Sequence, residues 1–152
     1  YIYNISNPTN PTQLGTFTHA RVCDPVISDG TYAYVTLRNG TMCQGFLNEL
    51  NVLDISNLMA PTLLKKYDLF NPHGLSKTNN LLFICDGTNG VKVFDATDVM
   101  QLNVKKHITG LNAFDAISYN NLLIVVAEDG LYQYNFTNSD NIQQISKIAV
   151  NQ

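Results

Sequence analysis

The sequence predicts an all-β protein built from four-stranded antiparallel blades, a β-propeller, and three observations carry that expectation. The first is a recurring phrase of apolar strand, Asx, small polar residue and turn: Ile2-Tyr-Asn-Ile-Ser-Asn-Pro8, Val52-Leu-Asp-Ile-Ser-Asn57, Val93-Phe-Asp-Ala-Thr-Asp98 and Tyr132-Gln-Tyr-Asn-Phe-Thr-Asn138. Its Asx anchors, Asn4, Asp54, Asp95 and Asn135, stand 50, 41 and 40 residues apart, the first interval being stretched by an insertion around Asn39 to Glu49. That period belongs to a four-stranded blade. The second observation is a pair of continuous apolar runs, Leu81-Leu-Phe-Ile84 and Leu122-Leu-Ile-Val-Val126. They alternate too little for a sheet with one wet face, so they need cover on both sides, as the second strand of a blade receives from its neighbours. The third is that no segment sustains a 3.6-residue apolar period with caps, so essentially no helix is expected.

The elements follow in order from the turn signals. After each anchor and its turn comes an outer strand: Thr12 to Phe17, Thr62 to Asp68, Asn103 to Thr109 and Ile142 to Val150. A polar connection leads to a short inner strand, at Asp24 to Ser28, His73 to Lys77 and Asp115 to Ser118. A tight turn then introduces the most apolar strand, Tyr32 to Leu37, Leu81 to Cys85 or Leu122 to Ala127. Hairpins such as Asp86-Gly-Thr-Asn-Gly90 and Glu128-Asp-Gly130 return the chain to the next anchor.

This division gives a half-blade at 1–18 and blades at 23–68, 72–109 and 114–150. Propellers close with about 4 to 8 blades, and an open arc leaves apolar faces in water. The expectation is therefore about three and a half blades of a larger propeller, its remaining blades supplied by upstream residues or by other copies of the chain.

Composition narrows the partners. Charged residues make up 14% of the 152 residues, Trp is absent, and the formal net charge of −3 is spread without any Lys/Arg block. Nothing would track a phosphate backbone, so nucleic acid is not an expected partner. No run reaches the ~18 apolar residues of a membrane helix.

The anchor phrase, with Asp-Ile-Ser-Asn and the spaced prolines Pro8 and Pro11, resembles the LVIVD repeat of surface and secreted proteins, many of them bacterial. Cys23-Asp-Pro-Val26, Tyr32-Ala-Tyr-Val-Thr-Leu-Arg38, Pro72-His-Gly-Leu75 and Glu128-Asp-Gly-Leu-Tyr132 are similar to the C-terminal blades of lipoprotein members. The resemblance spans the whole chain and implies architecture and a cell-surface setting rather than an activity. The chain departs from the repeat at Asp95-Ala-Thr-Asp98 and Asn135-Phe-Thr-Asn138, where no proline follows the turn.

Several residues invite both a structural and a functional reading. The Asx anchors end strands before turns, where they would bond backbone N–H groups two residues on. Asn4, Asn39 and Asn135 also head Asn-x-Ser/Thr sequons, two of which the repeat itself generates. Lys65-Lys66 and Lys105-Lys106 fall in outer strands, where lysine blocks strand addition by other chains. Cys23 and Cys43 fall at one end of one blade by strand order, so a Cys23–Cys43 disulfide is expected, worth about 3 kcal/mol in the chain-entropy model. Such a bridge points to an extracellular, periplasmic or outer-membrane/cell-surface location. Cys85 reads as a packed free thiol.

Asp24, His73 and Asp115 are read as equivalent starts of three inner strands, ringing the mouth of the central channel, either as the solvated polar lining of any propeller core or as a ligand-binding ring. Arg38, Asp86 and Glu128 come from loops at the same end and extend this candidate ligand-binding site. No nucleophile elbow, phosphate loop or His-Glu-x-x-His motif occurs, so no catalytic residue, metal ligand or cofactor is assigned, although a divalent cation is compatible with the ring. The leading expectation is a non-enzymatic binding or interaction propeller of the cell envelope, its ligand face at the Cys23/His73/Asp115 end and its partner a protein, glycan or small ligand. The alternative is a hydrolase or lyase that uses the Asp/His ring around a channel-bound cation.

Overall fold

The computed structural model describes residues 1–17, 25–40 and 47–150. The described residues form strands and no helix, in one two-stranded and three four-stranded antiparallel sheets. Strands β1 (Ile2–Asn4) and β2 (Thr12–Gly15) form the small sheet. The next comprises β3 (Val26–Ser28), β4 (Tyr32–Leu37), β5 (Glu49–Asp54) and β6 (Thr62–Asp68). It is followed by β7 (Leu75–Thr78), β8 (Leu81–Cys85), β9 (Val91–Asp95) and β10 (Asn103–Ile108). The last holds β11 (Ala113–Tyr119), β12 (Leu122–Ala127), β13 (Gly130–Asn135) and β14 (Gln143–Ala149). In each four-stranded sheet the spatial order is the chain order, the up-and-down arrangement of a propeller blade. The inner strands β3, β7 and β11 approach one another across successive sheets, and β6, β10 and β14 are the outer edges.

Each anchor turn is built twice over from Asx chemistry. The Oδ1 atoms of Asn4, Asp54, Asp95 and Asn135 accept the backbone N–H of Ser6, Ser56, Thr97 and Thr137 at 2.8–2.9 Å. Three residues on, Asn7, Asn57, Asp98 and Asn138 do the same for Thr9, Met59, Met100 and Asp140. A chain reversal between third and fourth strands thus receives two side-chain acceptors, which explains why the phrase tolerates losing its proline. The ladder of the two outer strands in every sheet also carries a β-bulge, between Ile2/Tyr3, Val52/Leu53, Val104/Lys106 and Gln133/Tyr134. Bulges and lysines on β6 and β10 together roughen the outer edges against pairing by other chains.

Blades stack through their apolar faces. Tyr34, Leu50 and Val52 of one blade interlock with Leu82, Ile84 and Phe94 of the next. Phe83, Cys85, Val91 and Val93 then meet Leu123, Val125, Tyr132 and Tyr134 of the last. The Phe83 and Phe136 rings lie 5.1 Å apart, tilted as aromatic pairs prefer. Between inner strands, the Ser76 and Ser118 hydroxyls lie 2.8 Å apart and Ser76 Oγ accepts the Ser118 N–H. Farther out, Tyr67 Oη donates to Val99 O and accepts from Leu102 N.

The second strands were expected to be covered on both faces, and β4 and β8 are. β12 is not: Leu123, Val125 and Ala127 are buried, but Val126 is 46% exposed. Ile117 and Ile148, which share that face, are also exposed. The cause is positional, since among the described residues no blade stacks on the far side of β11–β14.

At the end of the blades where β3 turns into β4, Asp29 anchors a cross-blade cluster. Its carboxylate accepts from Tyr32 N and Tyr34 Oη and lies 3.0 Å from the Lys77 ammonium on β7. Burial alone would raise this carboxyl; the bonds from Tyr32 N, Lys77 and Thr31 N outweigh it in sum and hold it below the usual aspartate value. A depressed native carboxyl contributes stability that is complete above its unfolded value and is lost as pH falls through the native one. Asp29→Asn is therefore expected to flatten the fall in stability below about pH 4, checked by denaturant melts of both proteins from pH 7 to pH 2.5. Parallel pH profiles would show that Asp29 contributes nothing to acid sensitivity.

Candidate functional site at the channel mouth

His73 lies just before β7, in a connection locked on both sides. Its N–H donates to Cys85 O at 2.7 Å within its own blade, and its carbonyl accepts the Thr36 hydroxyl of the preceding blade at 2.6 Å. Gly74 N then donates to Phe114 O of the following blade. Three blades therefore fix the backbone that carries the imidazole.

The ring is bracketed as well. Arg38 Nη1 approaches its Nδ1 and Nε2 at 2.5 and 2.7 Å, Asn71 Nδ2 lies 3.3 Å from Nε2, and the Phe114 ring centroid is 5.4 Å away. Burial, then repulsion from Arg38, lowers the His73 pKa, with Asp86 opposing. Both effects favour the neutral imidazole, the form that can accept from its cationic neighbour. His73, Arg38 and Asn71 are partly exposed, while Phe114 and Phe70 open to solvent.

Asp86 sits beneath this group with no exposed surface. Its oxygens accept Phe70 N, Asn71 N and Asn89 Nδ2 and pair with Lys92 at 2.8 Å. Two of those donors belong to the connection that delivers His73. Asp86 therefore shapes the site from below, and its wholly buried carboxylate presents no surface to a ligand, unlike the contact role expected for it.

Asp115 departs from expectation by one residue. Leu75 pairs with Ile84 and Ala116 with Val125, so counting along β8 and β12 matches Gly74 to Asp115 and His73 to Phe114. A bulge in β11 between Ala113 and Asp115 separates the strand from the simpler β7 pattern. Such a step exchanges the faces to which side chains point. Asp115 is exposed, accepts Ala116 N, and packs on Gly74, where an added Cβ would lie 2.9 Å from the Asp115 Cα. Glycine at 74 is what allows the two inner strands to approach so closely.

Glu128 lies elsewhere, in a separate cleft of about 350 Å³ lined by Thr88, Gly110, Leu111, Asn112, Glu128 and Asp129. There it accepts from Asn112 Nδ2 at 3.2 Å. Asp24, Cys23 and Cys43 fall outside the described residues. Among the described residues no three His, Cys, Asp or Glu side chains group as a metal site, and no helix is long and apolar enough to cross a membrane. Cys85 is a free, buried thiol whose pKa is pushed far up by burial and then by Asp115 and Asp86. Phe114 was missed in the sequence because it was read as the residue before a strand.

Comparison with known proteins agrees with this architecture. Residues 22–69 match the family model of the LVIVD repeat. No curated protein matches. Among solved structures, a chain in the crystal structure of a nidogen/laminin complex superposes with a TM-score of 0.64 at 15% identity, over 93% of this chain and 52% of that one. At that identity the likeness is one of fold, and this chain spans about half the length of its structural neighbour.

Proposed function

Because the chain carries an LVIVD repeat within a β-propeller fold, we propose that it works by binding rather than by catalysis, with its ligand face at the Cys23/His73/Asp115 end. The observation that carries this reading is the convergence on one imidazole of Arg38, Asn71 and Phe114, from three blades, over a backbone bonded on both sides. Sites held on strands in this way are preorganised. Arginine and an exposed phenylalanine on one imidazole are also residue types enriched at protein interfaces. The enzyme alternative drew on Asp115 as the counterpart of His73, and the register of β11 gives it no support.

The test is a binding screen of the purified chain against glycans, peptides and small acids, repeated with Phe114→Ala and with Tyr119→Ala. Tyr119 is 71% exposed and ends β11 at the opposite end of the blade. A tenfold or greater loss with Phe114→Ala alone supports the assignment; loss with Tyr119→Ala alone moves the ligand face to the other end.

Two features of the setting belong to the same proposal. The apolar face of Ile117, Val126 and Ile148 is the seat of a further blade, from the same polypeptide or another copy, because Phe83, Cys85 and Ile108 on the matching face of the preceding blade are buried by the blade that follows. A Cys23–Cys43 disulfide and a cell-envelope location complete the reading, with Cys23–Cys43 linked peptides expected from non-reduced protein.

A further inference from the structure

We propose that the group recognised at the channel mouth is a carboxylate of the ligand, gripped by Arg38 beside His73, an inference that rests on the ligand face assigned above. Charge accounting leads to it. Among the described residues Lys66, Lys77, Lys92, Lys105 and Lys147 each have a carboxylate partner within 3.0 Å. Lys65 and Lys106 have none, but they stand on the edge strands β6 and β10. Arg38 is the remaining Lys/Arg cation among them, and its hydrogen-bond contacts are to the His73 ring rather than to a carboxylate of the described residues. A guanidinium is always protonated, and its planar fork matches a carboxylate through two parallel bonds.

Among the described residues no acid of this end pairs with it. Asp86 is wholly buried and committed to Phe70 N, Asn71 N, Asn89 and Lys92, and an Asp115 oxygen is taken by Ala116 N. The Asn71 amide offers a further donor on the same side of the imidazole. The exposed Phe114 and Phe70 rings would receive an apolar portion of the ligand. A single guanidinium suits one negative charge; a phosphate dianion would need more cations than Arg38 alone.

The experiment is an NMR titration of the isotopically labelled chain at constant ionic strength, following the Arg38 Nε–Hε, His73 ring and Phe114 ring signals. The probes are acetate, glucuronate, inorganic phosphate and methylammonium. Saturable shifts at all three residues with acetate and glucuronate are expected, weakened at least tenfold in Arg38→Gln. A glucuronate affinity above that of acetate identifies an acidic sugar as the source, and equal affinities a simple organic acid. Phosphate binding as tightly as the carboxylates overturns the inference. Response to methylammonium alone overturns it while leaving the ligand face in place. Saturable shifts confined to residues away from Arg38, His73 and Phe114 overturn both, and an absence of saturable shifts overturns the carboxylate.

Discussion

Asp86→Ala is expected to destabilise the chain by about 3–5 kcal/mol, the range for breaking a buried ion pair by removing one partner. The carboxylate is fully buried, so its loss strands Lys92 and leaves Phe70 N and Asn71 N without acceptors in the same stroke. In a chain of this length each kcal/mol is worth roughly 2–4 °C in Tm. A thermal melt should therefore move down by about 6–20 °C. Asp86→Asn keeps the shape and one acceptor, and should fall between wild type and alanine. An unchanged melting temperature in Asp86→Ala would mean that the connection to His73 is held by something other than this carboxylate. Since the same residues position Asn71 and His73, whatever stability remains in Asp86→Asn should come with a loosened site, visible as broadened His73 ring signals.

Phe83→Ala should cost about 3–5 kcal/mol, as for other phenylalanines removed from cores. Phe83 has no exposed surface and lies between its own sheet and the following blade, against Phe136. Ile124, which register places at the equivalent point of the last blade, faces the side on which the described residues provide no stacked blade. Ile124→Ala should therefore cost distinctly less in the chain alone. Equilibrium denaturation of both variants reads the difference directly; equal losses would show that the stacking direction of the blades is wrong.

The long apolar strands were the most legible part of the sequence. Tyr32–Leu37, Leu81–Cys85, Leu122–Ala127 and the outer strand Thr62–Asp68 run end to end as their composition implies, because continuous β-branched and aromatic runs between Asx/Gly turns admit few other readings. The inner strands were less so. They are half polar and paired within the sheet on one side only, so their ends are poorly marked: β7 begins at Leu75 rather than His73, and β11 at Ala113 rather than Asp115. That error put a carboxylate where the fold has an aromatic ring. A better signal was present, since His73 and Phe114 both precede the apolar runs at Leu81 and Leu122 by the same interval. Arg38 was recognised as a loop residue at the right end. Its contact with His73 was beyond the reach of the sequence, because it depends on how two blades stack.

The placement of Phe114 beside His73 is the point on which the stacking, the register and the ligand face all depend. Nuclear Overhauser contacts from the His73 ring protons report on it most directly. Contacts to the Phe114 ring and the Arg38 side chain are expected, with the Phe114 ring signals shifted by the imidazole. Contacts from the His73 ring to the Asp115 β-protons, with none to Phe114, would contradict it.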